Sequence, residues 1–376
     1  RRHGRRETGD APPFAGQPLQ GFSGLAAAPA EGGGVWTLTD NGFGGRATSP
    51  DAMLMLVRQV PEWDTGLSRV EEVIFLSDPH RRLPFPIAWE ATGSRYLTGA
   101  DLDPESVQRL QGGFWIGEEF GPALVRVSDA GEVEGWFPAE VEGAPARSPD
   151  HPVERMSGAR VRDLRVGRSR GFEGLGLQPE TGLLWAAFEA PLLRADGREA
   201  PFVRLLAFDP AARRWTGDEA RIRLGPGAAA LGDLNFVDRD RVVFIERDWG
   251  EGHPSLACPE GAAGPGCFPD PARVKRVVLA DLSELDAEGA ARRMAWIDLM
   301  DIADPDEVAR LDTDAEGVAG RFSMPFTTIE GVRVDGPDHL MVSIDNNLPF
   351  SAGRRLDFVD QSETVRLHAP AFLDLR

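Results

Sequence analysis

Acidic side chains flank apolar segments of this chain in a pattern that could bind a cation or move a proton. In the stretch Phe172–Pro191, Glu173 opens one apolar segment and Glu189 closes the next. The turn-forming residues Pro179–Gly182 separate the two segments, which predicts a β-hairpin. The start of the first strand and the end of the second lie at the same edge of a hairpin, so we expect both carboxylates on one rim.

The same pattern occurs at four further places, which makes it an internal repeat. Each copy has a polar residue, a short apolar strand, a turn, and a second apolar strand that ends in acidic or amide residues. The residues that open the copies are Ser23, Glu105, Glu173, Asp233 and Glu330. The residues that end the second strands are Asp40, Asn41, Glu118, Glu119, Glu189, Glu246, Asp345, Asn346 and Asn347.

Further strand-like segments follow each hairpin, so each repeat has about four strands. Four-stranded units arranged radially are typical of a β-propeller. We therefore predict an all-β fold, a β-propeller of about six four-stranded blades. Five blades are the alternative, because only the long interval between Asp233 and Glu330 offers room for a sixth. Residues 1–18 are expected to form an N-terminal tail, and residues 19–376 a single domain.

The inner strands of a propeller surround the central axis, so one end of every hairpin converges on a single opening. Carboxylates that converge repel one another and raise each other's pKa unless cations lie between them. Carboxylate and amide oxygens are the usual ligands of Ca²⁺. The alternative is that these acids accept hydrogen bonds from backbone N–H groups or pair with arginines. The predicted metal ligands are Glu105, Glu173, Asp233, Glu330, Asp345 and Asn346.

Other residues at the same rim have the chemistry for catalysis and for substrate binding. A glutamate whose pKa is raised towards neutrality can act as a general base. The candidates for this role are Glu118, Glu119, Glu189 and Glu246. Arginines beside the rim motifs can bind an anionic group through two hydrogen bonds. The candidates are Arg170, Arg247 and Arg354.

Composition restricts the partners and the compartment. The formal net charge of −19 would repel nucleic-acid phosphates, and no apolar run approaches the ~20 residues of a membrane-spanning helix. The only cysteines, Cys258 and Cys267, lie close together in a Gly- and Pro-rich segment. Their spacing favours a disulfide, with two free thiols as the alternative, and a disulfide indicates an oxidising compartment. We expect an extracytoplasmic protein, periplasmic or secreted, whose signal peptide has been removed.

Several of these motifs resemble those of the phytase-like family, which is also called the esterase-like-activity-of-phytase family. The motifs are Asp103–Glu105, Phe114–Pro122, Gly171–Leu175, Ile245–Asp248, Ile329–Val332 and Asp345–Asn347. The resemblance extends over about residues 19–350 and implies an exported β-propeller that hydrolyses phosphoesters or carboxyesters. Ser106 departs from the family pattern, which favours glycine after Asp-Pro-Glu.

The leading functional hypothesis is a Ca²⁺-dependent hydrolase of a small-molecule ester or phosphoester. Bound cations would neutralise substrate oxygens and activate a water molecule. One alternative is a lactonase in which Glu330 and Asn346 hold an axial Ca²⁺. The other alternative is a non-catalytic propeller that binds a ligand or a protein, with Ca²⁺ as a structural ion.

Overall fold

Five antiparallel sheets of consecutive strands form the fold in a computed structural model. The structure describes residues 16–28, 33–110, 112–153, 163–260, 264, 266–309 and 320–376. Blade 1 contains β1 (Phe22–Ala27), β2 (Val35–Thr39), β3 (Met55–Glu62) and β4 (Leu67–Phe75). Blade 2 contains β5 (Pro104–Arg109), β6 (Gly113–Glu118), β7 (Ala123–Ser128) and β8 (Val133–Pro138), and the short hairpin β9 (Glu140–Val141) and β10 (Ala144–Pro145) follows it.

The last three blades complete the sequence of strands. Blade 3 contains β11 (Phe172–Leu177), β12 (Leu184–Phe188), β13 (Val203–Asp209) and β14 (Arg214–Ile222). Blade 4 contains β15 (Ala230–Phe236), β16 (Arg241–Arg247), β17 (Lys275–Leu285) and β18 (Ala291–Asp298). The pair β19 (Ile302–Ala303) and β20 (Arg321–Phe322) precedes blade 5, which has β21 (Ile329–Val334), β22 (His339–Ile344) and β23 (Thr364–His368).

The first strand of each blade faces the axis, and these inner strands contact one another in a closed circle. Strand β1 lies beside β5, β5 beside β11, β11 beside β15, β15 beside β21, and β21 again beside β1. The all-β propeller prediction is therefore confirmed. The main prediction of six blades was wrong, and the five-blade alternative is correct. In the described residues between Asp233 and Glu330, the long strands β17 and β18, the loop around Cys258 and the β19–β20 pair occupy the interval that was expected to offer room for a sixth blade.

Every inner hairpin has a register shift near the same end. In blades 2, 3 and 5 the shift leaves one residue unpaired, and that residue is Glu105, Glu173 or Glu330. In blade 1 the shift lies just after Ser23, and in blade 4 it lies just after Leu231. A β-bulge bends the strand and re-aims the extra side chain. The bulges therefore turn three glutamates out of the sheet pattern at the same level of the propeller.

The inner strands pack closely, and glycine permits the approach. A Cβ added to Gly174 on β11 would lie 2.8 Å from the backbone nitrogen of Leu234 on β15. Further out, aromatic side chains fill the space between blades. Trp115 on β6 lies with its ring centroid 5.1 Å from that of Phe208 on β13. Close backbone contact at the axis and bulky apolar packing outside it are the geometry expected of wedge-shaped blades.

The first and last blades are joined by side chains, because no sheet combines strands from both ends of the described chain. The backbone N–H of Gly21 donates to Asn346 Oδ1 at 2.9 Å, and Ser23 Oγ donates to Glu330 Oε2 at 3.2 Å. A short C-terminal helix, α1 (Pro370–Leu373), continues from blade 5. Arg241 of blade 4 donates through Nη1 to the carbonyl of Leu373 at 2.7 Å, which links the helix to the neighbouring blade.

The loop that follows β16 carries the two cysteines. Cys258 and Cys267 form a disulfide, as the sequence predicts. In the part of the chain that the structure describes, no helix has the length and apolar character needed to cross a membrane.

Candidate metal centre

Two sets of equivalent positions bring one residue from each blade to the axis. We call the first set the bulge tier, because its members lie at or beside the register shift of an inner strand. We call the second set the exit tier, because its members lie where the second strand ends. The bulge tier is Ser23, Glu105, Glu173, Gly232 and Glu330. The exit tier is Asp40, Glu119, Glu189, Arg247 and Asp345.

Carboxylates from blades that are not neighbours meet within this space. Oxygen atoms of Glu105, Glu173 and Glu330 all lie within 4.8 Å of one another. Blade 5 is adjacent to neither blade 2 nor blade 3, so these side chains can meet only at the axis. A second group, Asp40, Asp103 and Glu105, has oxygen atoms within the same 4.8 Å. Glu105 belongs to both groups and connects them.

We use the name acidic ring for these carboxylates together with the remaining acids of the exit tier. Its members are Asp40, Asp103, Glu105, Glu119, Glu173, Glu189, Glu330 and Asp345. Asp40 is partly exposed, whereas the other seven side chains are buried. The ring is thus a desolvated acidic cluster that reaches solvent on the side of blade 1.

One arginine enters the ring from blade 4. Arg247 Nη2 donates to Glu173 Oε1 at 3.2 Å, to Glu189 Oε1 at 2.8 Å and to Glu330 Oε1 at 3.1 Å. Burial alone would lower the pKa of Arg247, but the carboxylates of Glu189, Glu330 and Glu173 raise that pKa above its ordinary value. Arg247 is therefore a permanent positive charge inside the ring, and it pairs with three of the eight carboxylates.

The unbalanced negative charge raises the pKa of the carboxyl groups. Burial raises the pKa of Asp40 well above its ordinary value, and the charges of Asp345 and Asp103 raise it further. The pKa of Glu105 is raised well above its ordinary value in the same way, by burial first and then by Asp103 and other acids of the ring. For Glu189, burial raises the pKa to about 7 against the opposing effect of Arg247. Without a bound cation, the ring can lower its energy only by holding protons.

The polar atoms around Asp40 and Asp103 fit a hard cation. Asn41 donates through Nδ2 to both oxygens of Asp103 at 2.9 Å. Its Oδ1 atom is buried and accepts no hydrogen bond from the described part of the chain. A buried acceptor without a partner is uncommon, and here it stands beside two carboxylates. Several oxygen donors of mixed carboxylate and amide type are the ligand set of Ca²⁺.

Four of the six predicted metal ligands lie in the ring: Glu105, Glu173, Glu330 and Asp345. The other two predicted ligands, Asp233 and Asn346, form hydrogen bonds with backbone groups. Asp233 accepts hydrogen bonds from the N–H groups of Leu234 and Val332, so it holds blade 4 against blade 5. Asn346 accepts from Gly21 and donates to the carbonyl of Asp360, so it contributes to the closure between blades 1 and 5.

The predicted general bases separate into two pairs. Glu119 and Glu189 belong to the exit tier, and their charges interact with each other. Glu118 accepts from the N–H groups of Phe120 and Gly121 and thereby stabilises the turn after β6. Glu246 is held by Arg293 of β18 and by the N–H of Gly225, away from the ring.

The predicted substrate-binding arginines also differ in position. Arg247 lies in the ring, and Arg170 lies beside it, with Nε 3.3 Å from Glu189 Oε2. Both guanidinium groups pack against Trp249. The distance from Cζ to the centroid of the Trp249 ring is 4.8 Å for Arg170 and 4.6 Å for Arg247. Arg354 instead pairs with Glu363 through two hydrogen bonds, at 3.0 and 2.8 Å.

Sequence reasoning missed the role of two ring members. Neither residue is among the predicted metal ligands: Asp103 belongs to the Asp-Pro-Glu motif, and Asp40 is one of the residues predicted to end a second strand. The signal for Asp40 was its equivalence to Glu189 in the repeat, and the structure makes this equivalence explicit. The N–H groups of Asp40, Glu119 and Glu189 all donate to the carbonyl of the residue before an inner strand, at 3.1, 2.9 and 2.9 Å.

Comparison with known proteins identifies the family. The family model described as "Phytase-like: Esterase-like activity of phytase" matches residues 17–348. The chain belongs to the phytase-like family. This match confirms the resemblance seen in the sequence and covers all five blades up to β22 of this phytase-like propeller. Among curated proteins, none matches the sequence significantly.

Solved structures similar to this phytase-like chain are remote from it in sequence. The arabinanase of Bacillus subtilis shares 13% identity over 92% of this chain and 93% of its own, with a TM-score of 0.40. An α-L-arabinanase mutant of Cellvibrio cellulosa shares 12% identity over 93% and 92%, with a TM-score of 0.42. The periplasmic gluconolactonase of Pseudomonas aeruginosa shares 14% identity over 93% and 88%, with a TM-score of 0.31. Scores at this level carry no conclusion about the chemistry of this chain.

Proposed function

We propose that this phytase-like protein is a Ca²⁺-dependent hydrolase of small-molecule esters or phosphoesters, with the acidic ring as its metal centre. The observation that carries the proposal is the presence of two carboxylate groups, Asp40–Asp103–Glu105 and Glu105–Glu173–Glu330, which share Glu105 and in each of which the oxygen atoms lie within 4.8 Å of one another. Buried carboxylates at this separation are strongly unfavourable when ionised unless a cation neutralises them. Family membership supports an esterase-like activity.

A bound divalent ion would polarise a substrate oxygen and lower the pKa of a bound water molecule. The residues of this chain supply the remaining functions. Glu189 has a pKa of about 7, because burial raises it, and a base with a pKa near the working pH is the most efficient. Arg170 contacts Glu189 and is partly exposed. It can hold that carboxylate in position or bind an anionic group of the substrate.

The disulfide between Cys258 and Cys267 supports an extracytoplasmic location for this activity. Disulfides persist in the periplasm and outside the cell, whereas cytosolic thiols are usually kept reduced. Ca²⁺ accepts oxygen ligands in flexible geometry, whereas Mg²⁺ demands near-ideal octahedral geometry, so the mixed carboxylate and amide oxygens of the ring suit Ca²⁺ better.

The proposal is tested by removing metal and then restoring it. The protein is stripped of divalent ions and assayed on a panel of phosphate esters, carboxylate esters and lactones before and after Ca²⁺ is added. We expect hydrolysis of a phosphate or carboxylate ester that is lost on stripping and recovered with Ca²⁺. Full activity after stripping would exclude the metal mechanism. Turnover of lactones alone, or a Ca²⁺-dependent rise in melting temperature without turnover, would instead establish the lactonase or the binding protein.

The role of Glu189 is tested with the variant Glu189→Gln. If Glu189 is the general base, the variant loses about 100-fold or more in kcat, while Ca²⁺ still raises the melting temperature. The matched control is Glu180→Gln, because Glu180 is an exposed glutamate on the turn at the opposite end of the same hairpin. Equal activity of the two variants would exclude Glu189 as the base.

A further inference from the structure

Arg247 is the only member of the exit tier that is not a carboxylate: the other four blades place an acid at the equivalent position. Blade 4 also contributes Gly232, and therefore no side-chain oxygen, to the bulge tier. The blade that supplies the positive charge is thus the blade that supplies no carboxylate to either tier. The side of the ring at blade 4 therefore carries a positive charge, whereas the other blades contribute carboxylates.

The hydrogen bonds of Arg247 go to only one side of the ring. Its Nη2 atom contacts Glu173, Glu189 and Glu330, from blades 3 and 5. Its Nε and Nη1 atoms are buried and make no hydrogen bond to any residue that the structure describes. The guanidinium is held by Trp249 at 4.6 Å. A charged group so enclosed acts as a fixed cation for the carboxylates it touches.

On the other side of the ring, no arginine or lysine of the described residues is found as a partner of Asp40, Asp103 or Glu105. Asp40, Asp103 and Glu105 have oxygens within 4.8 Å of one another. Asn41 donates to Asp103 through a neutral amide, which carries no charge to offset the carboxylates. The Oδ1 atom of the same amide is buried and has no donor among the described residues, so it offers a further oxygen on this side.

The geometry points to Arg247 as a built-in cation that occupies the side of blades 3 and 5 and limits the ring to one divalent ion. That ion would bind on the side of blades 1 and 2, with Asp40, Asp103 and Glu105 as carboxylate ligands and Asn41 as an amide ligand. The inference rests on the proposed metal centre and adds to it the number of ions and their position. The guanidinium of Arg247 occupies the position at which a second divalent ion would otherwise bind.

The inference is tested by counting bound ions with isothermal titration calorimetry in Ca²⁺ and by measuring the metal content of the dialysed protein. We expect one Ca²⁺ per wild-type chain and two per chain in Arg247→Gln, because the variant frees Glu173, Glu189 and Glu330. The matched control is Arg170→Gln, which removes a guanidinium at the edge of the ring and should leave one ion. One ion in Arg247→Gln, or two in the wild type, would overturn the role of Arg247.

A second pair of variants keeps the test independent of whether Arg247→Gln folds. Asp103→Asn should weaken Ca²⁺ binding by more than about tenfold, the loss that follows even from removal of an outer-shell partner. Glu173→Gln should weaken Ca²⁺ binding less than Asp103→Asn does, because Arg247 already pairs with the carboxylate of Glu173. The reverse order of the two effects would overturn the assignment. A wild-type protein that binds no divalent ion would overturn the metal centre itself, which distinguishes failure of the proposed function from failure of this inference.

Discussion

Single carboxylates in this protein owe their chemistry to the charges around them. Glu189 and Glu246 both end a second strand and are both buried, yet their partners differ. Glu246 is matched by Arg293, whereas Glu189 shares the guanidinium of Arg247 with Glu173 and Glu330 and has only the partly exposed Arg170 as a further basic neighbour. A carboxylate with a full partner is a structural ion pair, and one that shares its partner is available for a proton or a metal ion.

The ring carboxyls predict how the stability of the metal-free protein depends on pH. Burial raises the pKa of Asp345 from 3.8 to about 8 and that of Glu189 from 4.5 to about 7. The folded state therefore holds protons that the unfolded state has released, and the free energy of unfolding must fall as pH rises through this range. Below about pH 4 both states are protonated and this cost is absent.

We expect the free energy of unfolding of the metal-stripped protein to fall steadily between pH 5 and pH 8, because the pKa values of Asp345 and Glu189 are raised in the folded state. Ca²⁺ should restore more stability at pH 8 than at pH 5. Urea unfolding at four pH values, with and without Ca²⁺, measures both effects. Stability of the stripped protein that rises with pH would show that the carboxyls are not buried together.

The inner strands bring equivalent residues of the repeat together at the axis and so build the site. Each strand carries a register shift, and in blades 2, 3 and 5 the shifted residue is a glutamate. Blade 4 departs from this rule for a steric reason. A Cβ at Gly232 would lie 2.1 Å from the carbonyl oxygen of Ile329 on the neighbouring strand, so no side chain fits there.

Because these strands pack closely, we expect the addition of a single methyl group to lower the free energy of unfolding. In Gly174→Ala the added Cβ meets the backbone nitrogen of Leu234 at 2.8 Å, and backbone cannot rotate away. We expect a loss of about 1–3 kcal/mol in the free energy of unfolding. The control is Gly93→Ala, where no atom lies within 4 Å of the added Cβ, and its effect should stay within about 0.5 kcal/mol. Equal stability of the two variants, measured by urea unfolding, would contradict the packing.

At the scale of the whole molecule, closure of the propeller depends on groups outside the sheets. Blade 5 has three strands, and helix α1 follows the last of them. Phe372 and Leu373 of this helix are buried in the same apolar cluster as residues of blades 4 and 5. Arg241 of blade 4 donates to the helix carbonyl at Leu373. The helix therefore fastens the last blade to the one before it.

Loss of this contact should destabilise the entire domain. We expect Phe372→Ala to lower the free energy of unfolding by about 3 kcal/mol or more, as truncation of a buried aromatic side chain does. Leu375→Ala is the matched control, because Leu375 is 39% exposed. The comparison is made by calorimetry, and an unchanged melting temperature in Phe372→Ala would show that the helix is dispensable.

The sequence was sufficient for the fold class because the hairpin pattern repeats with its polar ends in the same place. It was not sufficient for the blade number, because the interval between Asp233 and Glu330 combines strand, loop and small-hairpin segments of irregular length. The convergence of Glu105, Glu173 and Glu330 could be predicted from the repeat. The separation of Glu118 from Glu119 could not, because it depends on which of two neighbouring residues faces the axis after a bulge.

The position of Arg247 has a consequence for molecules that approach from solvent. The carboxylates of blades 1 and 2 lie on one side of the opening, and the guanidinium groups of Arg247 and Arg170 lie towards the other. The electric field at the mouth therefore runs across the propeller axis. Such a field orients a dipolar molecule before any contact forms. A substrate of the proposed ester or phosphoester class would therefore turn its electron-rich end towards blade 4.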